Sequence, residues 1–170
     1  MSPLRAGRRP RPPIEVAKGE RLLAWAPLVD GGWLAGTRDA LYVDGARVPW
    51  EQVQAADWEQ DEGRLRVSEV GTWGEPRPLH VLAVPDSAAK DADRLLQLVR
   101  ERVTASVLLT RHVRVSGRRG VRVVARRAPS GRSEVGWAYE YDEGVDPDDP
   151  FVRAAAETAL AAAKSDVGML

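Results

Sequence analysis

Residues 40–58 read ALYVDGARVPWEQVQAADW, and this stretch decides the fold. Ala40-Leu41-Tyr42-Val43 is an apolar run of strand length, and Asp44-Gly45 is the dipeptide that two-residue hairpin turns select. A short return strand, Ala46-Arg47-Val48, meets Pro49, which has no N–H to give to a ladder and so interrupts pairing. Trp50 then supplies a large apolar anchor before Glu51-Gln52-Val53 opens a further strand. Strand, tight turn, strand and corner predict a small antiparallel β-structure, with this stretch as the corner of a small barrel.

The flanking sequence extends the same pattern in both directions. Upstream, 21–26, 32–37 and 40–43 are short strands separated by Pro27, the Asp30-Gly31-Gly32 turn and the Arg38-Asp39 turn. Downstream, Arg64-Leu65-Arg66-Val67-Ser68 alternates strictly, which marks a sheet with one wet face, and 79–84 is the last strand of the set. Trp73 lies in the loop 71–78 and is a candidate exposed anchor for a partner. Asp86-Ser87 offers a helix cap, and Ala92, Leu95, Leu96, Val99 and Val103 then fall on one apolar stripe of a helix that runs to Ser106.

Residues 107–170 change character to three more strands and a helix. Strands at 107–115, 121–127 and 133–141 are joined by Gly117-Arg118-Arg119-Gly120 and Pro129-Ser130-Gly131. Odd positions such as Val113, Val121, Val123, Trp137 and Tyr139 form the expected buried face, leaving His112, Arg114, Arg122, Arg126, Glu134 and Glu140 on a charged one. A three-residue turn places Arg126 opposite Glu134. Asp148-Asp149-Pro150 is a helix start, with an acidic cap and proline at the first helical position, and the alanine-rich helix ends near Asp166. About 60 residues of this kind are marginal alone, so they are expected to pack on the first unit or on a second copy of the chain.

At 170 residues with no net formal charge, the chain has no bulk attraction for DNA or an acidic membrane. The absence of cysteine removes disulfides and thiolate metal ligation, and no apolar run reaches the ~20 residues of a membrane span. A cytoplasmic protein without cofactor is expected. Residues 1–18 are rich in Pro and Arg and read as a flexible arm.

From Glu20 to about Ser106 the chain resembles bacterial, especially actinobacterial, pleckstrin-homology-like domains. The residues that carry the likeness are GERLLAWA, Thr37-Arg38-Asp39-Ala40-Leu41-Tyr42, VPWEQV and the closing LLQLVRERV, in that order. The resemblance implies an α+β protein: a seven-stranded bent β-barrel capped by its C-terminal helix, here followed by a small antiparallel βββα subdomain. It implies no chemistry, because such folds bind lipids, peptides and proteins alike. Phosphoinositide-binding members carry several basic residues on the first two strands and their loop. Here no basic residue follows Arg21 until Arg38. Phosphoinositide recognition is therefore not expected.

Candidate binding residues concentrate in the second unit. Eight arginines, Arg111, Arg114, Arg118, Arg119, Arg122, Arg126, Arg127 and Arg132, occur with no acid among them. Guanidinium forks suit phosphates and carboxylates, so Arg114, Arg118, Arg119, Arg122 and Arg126, with His112, form a candidate partner-binding or anion-binding face. The competing reading is a sheet face neutralised by the acids that follow, Glu134, Glu140 and Asp142 among them. Gly117-Arg118-Arg119-Gly120 matches the Gly-x-x-Gly loop of an RNA-binding fold, but strands rather than helices flank it, and a hairpin turn is the better reading. Residues 142–149 depart from the spacing of a calcium loop and read as an acidic loop with a helix cap. His80 and His112, far apart and without cysteine, do not suggest a zinc site. A non-enzymatic module that binds a protein or itself is the leading expectation. Nucleic-acid or polyanion binding through the 111–132 hairpin is the alternative, and an enzyme using Glu134 or Glu140 with His112 has no motif behind it.

Overall fold

In the computed structural model, which describes residues 11–71 and 77–168, the corner read from the sequence joins two sheets. Strands β1 (Ala24–Pro27), β2 (Trp33–Gly36), β3 (Ala40–Val43) and β4 (Ala46–Pro49) form a four-stranded antiparallel sheet in chain order. Asp44 and Gly45 both have left-handed backbones, with φ 48° and 82°, which is the conformation that makes this dipeptide favourable in the β3–β4 turn. Pairing ends with Ala40 opposite Pro49, and Trp50–Gln52 makes one 3-10 turn. The chain leaves that turn as β5 (Val53–Glu59), which pairs with β6 (Arg64–Glu69) and β6 with β7 (Leu79–Ala83).

The expected seven-stranded barrel is thereby corrected to two sheets. Among the described residues the seven strands divide four and three, and no closed barrel forms. The proline without a donor and the 3-10 turn redirect the chain, so β4 and β5 never pair. A backbone hydrogen bond from Val29 N–H to the Ala83 carbonyl, 2.9 Å long, links the two sheets beside the β1–β2 turn.

Helix α1 (Ala89–Ser106) fills the space between the sheets. Its buried stripe of Ala92, Leu95, Leu96, Leu98 and Val99 meets Leu34, Leu41, Trp50, Val53 and Val67, a core that both sheets share. Gly36 lets the helix approach, because a Cβ there would lie 2.6 Å from Leu98 Cδ2. Trp50 is fully buried and donates its indole N–H to the Thr37 carbonyl at 3.1 Å, so the polar end of the anchor is satisfied. The expected cap at Asp86-Ser87 does not form. Residues 86–88 instead make a 3-10 turn, and Ala88 N–H bonds to the Pro85 carbonyl at 2.9 Å, so backbone carbonyls serve amides that a side chain was expected to serve.

The reading of residues 1–18 as a flexible arm narrows as well. Ile14 and Val16 pack on Leu22, Ala35, Ala40 and Tyr42, and the Tyr42 hydroxyl accepts a hydrogen bond from Ala17 N–H at 2.8 Å. This segment covers the outer face of the first sheet, where apolar side chains of β2 and β3 would otherwise be wet.

The second unit follows without a linker. Strands β8 (Val107–Ser116), β9 (Arg119–Arg126) and β10 (Gly136–Tyr141) form a sheet in the order β10-β9-β8. Helix α2 (Pro150–Val167) packs on β8 and β9, burying Ala159 and Ala163 against Val123, with Leu109, Val113, Trp137 and Tyr139 around them. Its start is the one expected: Asp149 accepts from Phe151 N–H at 2.7 Å, and Pro150 is the first helical residue. Two expectations for this sheet are corrected. Arg126 stands opposite Gly136, not Glu134, because the connection takes residues 127–135 and is closed by Ser133 Oγ accepting from Ala128 N–H. The charged face is also not uniformly solvated, since Val124 and Arg126 on it are buried.

Candidate functional site

The arginine-rich hairpin separates into three groups when its partners are followed. At one end Arg126 is only 6% exposed. Its guanidinium donates to the carbonyls of Val53 at 3.2 Å and Gln54 at 3.4 Å and to Ser106 Oγ at 3.3 Å. Glu140 lies 3.7 Å away on the same face. Burial lowers the Arg126 pKa from the usual arginine value, and the Glu140 carboxylate works against that effect. This side chain spans from β9 to β5 and has no reach left for a partner.

In the middle of the hairpin, Arg122 is flanked across the sheet by His112 on β8 and Glu140 on β10. Asp142, just beyond β10, gathers this row. Its Oδ2 lies 2.9 Å from His112 Nε2 and accepts from Gly120 N–H at 2.8 Å, while Oδ1 accepts from Arg122 at 3.2 Å. The hydrogen bond from His112, then that from the Gly120 amide, hold the Asp142 carboxyl below the ordinary range. His112 is therefore engaged by Asp142, and Glu140 by the two arginines beside it. For Arg122 the competing expectation, neutralisation by the following acids, describes what is seen.

The third group is the hairpin tip. Arg114, Arg118 and Arg119 are exposed, and none makes a side-chain hydrogen bond or ion pair among the described residues. Gly117-Arg118 is the tight turn itself, with Gly117 at φ 60°, so Gly-x-x-Gly here is a hairpin turn between two strands. Gly120 is needed for a different reason. A Cβ at that position would lie 1.9 Å from the Val113 carbonyl oxygen, where the β8 backbone crosses closely beside a bulge at Val115. The end of the hairpin thus carries three exposed cations, Arg114 on β8, Arg118 in the turn and Arg119 at the start of β9 with its guanidinium beside Gly144. Trp73, the other candidate contact, lies outside the described residues.

Sequence reading missed a polar hub on the outer face of the first sheet. Glu20 accepts from Thr37 Oγ1 at 3.0 Å, from the Tyr42 hydroxyl at 2.8 Å and from Arg47 Nε at 2.8 Å. The Thr-Arg-x-x-Leu-Tyr pattern carried the signal, since its Thr and Tyr are two of the three donors. It also missed a cleft of about 870 Å³ beside that hub, to which Arg21, Arg38, Arg102 and Arg132 contribute. These residues are scattered over the sequence, and only the packing of four segments brings them together. Among the described residues, no helix is long and apolar enough to cross a membrane. Comparison of the chain with protein-family models, with curated proteins and with solved structures finds no match.

Proposed function

We propose that the chain is a non-enzymatic interaction module, in which residues 19–106 form a pleckstrin-homology-like unit and the β8–β9 hairpin tip binds an acidic surface of a protein partner. The sheets of four and three strands with α1 packed between them support the first part of this reading. The observation that carries the second part is the contrast along one hairpin. Arg122 and Arg126 are paired with internal partners, whereas Arg114, Arg118 and Arg119 are exposed at the end of the hairpin and make no side-chain hydrogen bond or ion pair among the described residues. Exposed guanidinium groups held on a rigid element recognise carboxylates with little loss of side-chain freedom.

Polyanion binding by the same tip is the second reading, favoured by the local excess of arginine. One variant set separates the two. Affinity purification with cross-linking from the native host is expected to recover a protein with the wild type and not with R114Q/R118Q/R119Q. A salt-sensitive gel shift of DNA or RNA, lost in that variant, favours the second reading. A wild-type chain that stays monomeric, recovers no protein and shifts no nucleic acid at low salt would sink both.

A further inference from the structure

The cleft beside the Glu20 hub lies at the end of the first sheet remote from the β1–β2 turn, where β1 begins, β2 ends and Pro49 closes β4. Four stretches send an arginine into its wall: Arg21 ahead of β1, Arg38 in the β2–β3 turn, Arg102 on α1 and Arg132 in the β9–β10 connection. None of these four makes a side-chain hydrogen bond or ion pair among the described residues. A fifth, Arg47, is held by Glu20 and so brings no net charge. The remaining acids of the wall are Asp39 and Glu51, so positive charge prevails. Several other arginines are tied to an acid, as in Arg64 with Glu62, Arg66 with Glu59 and Arg111 with Asp166. Within this one concavity four arginines without an acid partner face two acids.

Arg102 adds an independent observation. Its Nε is shielded from solvent without a hydrogen-bond partner, as is Glu51 Oε2 in the same wall. A buried polar atom without a partner has already lost its water, and a ligand whose binding shifts either side chain onto a partner recovers that loss. Guanidinium groups arriving from four directions suit an anion with more than one oxygen-bearing group, and the volume is that of a small-molecule site. We propose that this cleft binds a compact multivalent anion, of the phosphate or polycarboxylate kind, with Arg38, Arg102 and Arg132 as its principal contacts. Glu51, on the corner that closes the cleft, opposes that charge and limits affinity.

Calorimetric titration of the full chain at low ionic strength, with inorganic pyrophosphate and with citrate, tests this. Wild-type protein is expected to bind at least one of the two, and the stronger one assigns phosphate or carboxylate chemistry. R38Q/R132Q removes two exposed arginines that contribute nothing to the core, and it is expected to bind about tenfold or more weakly. E51Q is expected to bind about fivefold more tightly, because a like charge is removed. R114Q/R118Q/R119Q, at the hairpin tip, is expected to bind as the wild type does. The proposal is overturned if neither anion binds, if R38Q/R132Q binds as well as the wild type, or if the hairpin-tip variant is the one that loses binding.

Discussion

Glu20 shows how much one carboxylate can organise in a sheet of four-residue strands. Thr37, Tyr42 and Arg47 come from the β2–β3 turn, from β3 and from β4, and all three donate to it. Thr37 uses its hydroxyl oxygen again to accept from the amides of Asp39 and Ala40, so the β2–β3 turn is tied to the same centre. Burial, the largest single influence, raises the Glu20 pKa, but the hydrogen bonds from Arg47, Tyr42 and Thr37 outweigh it and hold the carboxyl below its ordinary range. A carboxyl depressed in the folded state stabilises the fold above its unfolded pKa, and that stabilisation is lost as pH falls through the folded value. Glu20→Gln is therefore expected to cost about 2 kcal/mol at neutral pH, from charge-assisted bonds lost to Arg47 and Tyr42. The gap from wild type is expected to close as the pH is lowered below the ordinary carboxylate range. Denaturant midpoints measured across acid pH decide it, and a gap that stays constant to the lowest pH contradicts the assignment.

At the scale of elements, the β8–β9 hairpin depends on a residue that carries no side chain. Gly120 sits opposite Arg114, next to the bulge, and its N–H and carbonyl are both bonded to Asp142. The atoms a Cβ would strike, the Val113 carbonyl at 1.9 and 2.7 Å and Arg114 Cα at 2.9 Å, are all backbone and cannot rotate away. Gly120→Ala is expected to destabilise by about 3 kcal/mol, whereas Gly117→Ala, with open space but φ 60°, costs about 1 kcal/mol. Equal losses in thermal unfolding of the two variants would show that the close approach is not what matters. Elements of this kind were readable from the sequence because their signals are local: the Asp44-Gly45 turn, the stripe on α1 and the Asp149-Pro150 start each depend on neighbours in the chain. The split into two sheets was not readable, since it turns on whether β4 and β5 pair across a corner. Nor was the cleft, because Arg21, Arg38, Arg102 and Arg132 become neighbours only after both units have packed. Arg126 was misplaced for a related reason: strand alternation assigns a face, but it does not say what covers that face.

At the scale of the whole molecule, the core between the first two sheets and α1 and the core between the third sheet and α2 share no residue. Polar contacts run between them. Ser106 of α1 runs directly into β8 and its carbonyl accepts from Arg127 N–H at 2.9 Å, Arg77 donates to the Tyr139 carbonyl at 2.9 Å, and Arg126 reaches across to Val53 and Gln54. Of these side chains Arg126 is the buried one, and removing it takes a donor from two carbonyls and the Ser106 hydroxyl and leaves Glu140 with Arg122 alone. Truncating one partner of a buried, hydrogen-bonded charge costs about 3 kcal/mol, and here the loss falls on the contact between units rather than on either core. Native-state hydrogen exchange separates those two possibilities. In the wild type the amides of Val123 on β9 and Leu41 on β3 are expected to open with similar free energies, because the bolted units unfold together. In Arg126→Met the third sheet is expected to exchange first, with Val123 losing protection while Leu41 keeps most of its own. Arg126→Lys, which retains the charge but not the forked donors, is expected to fall between them. If Val123 and Leu41 lose protection equally in Arg126→Met, the residue acts through global stability alone, and the two units are coupled by something other than this side chain.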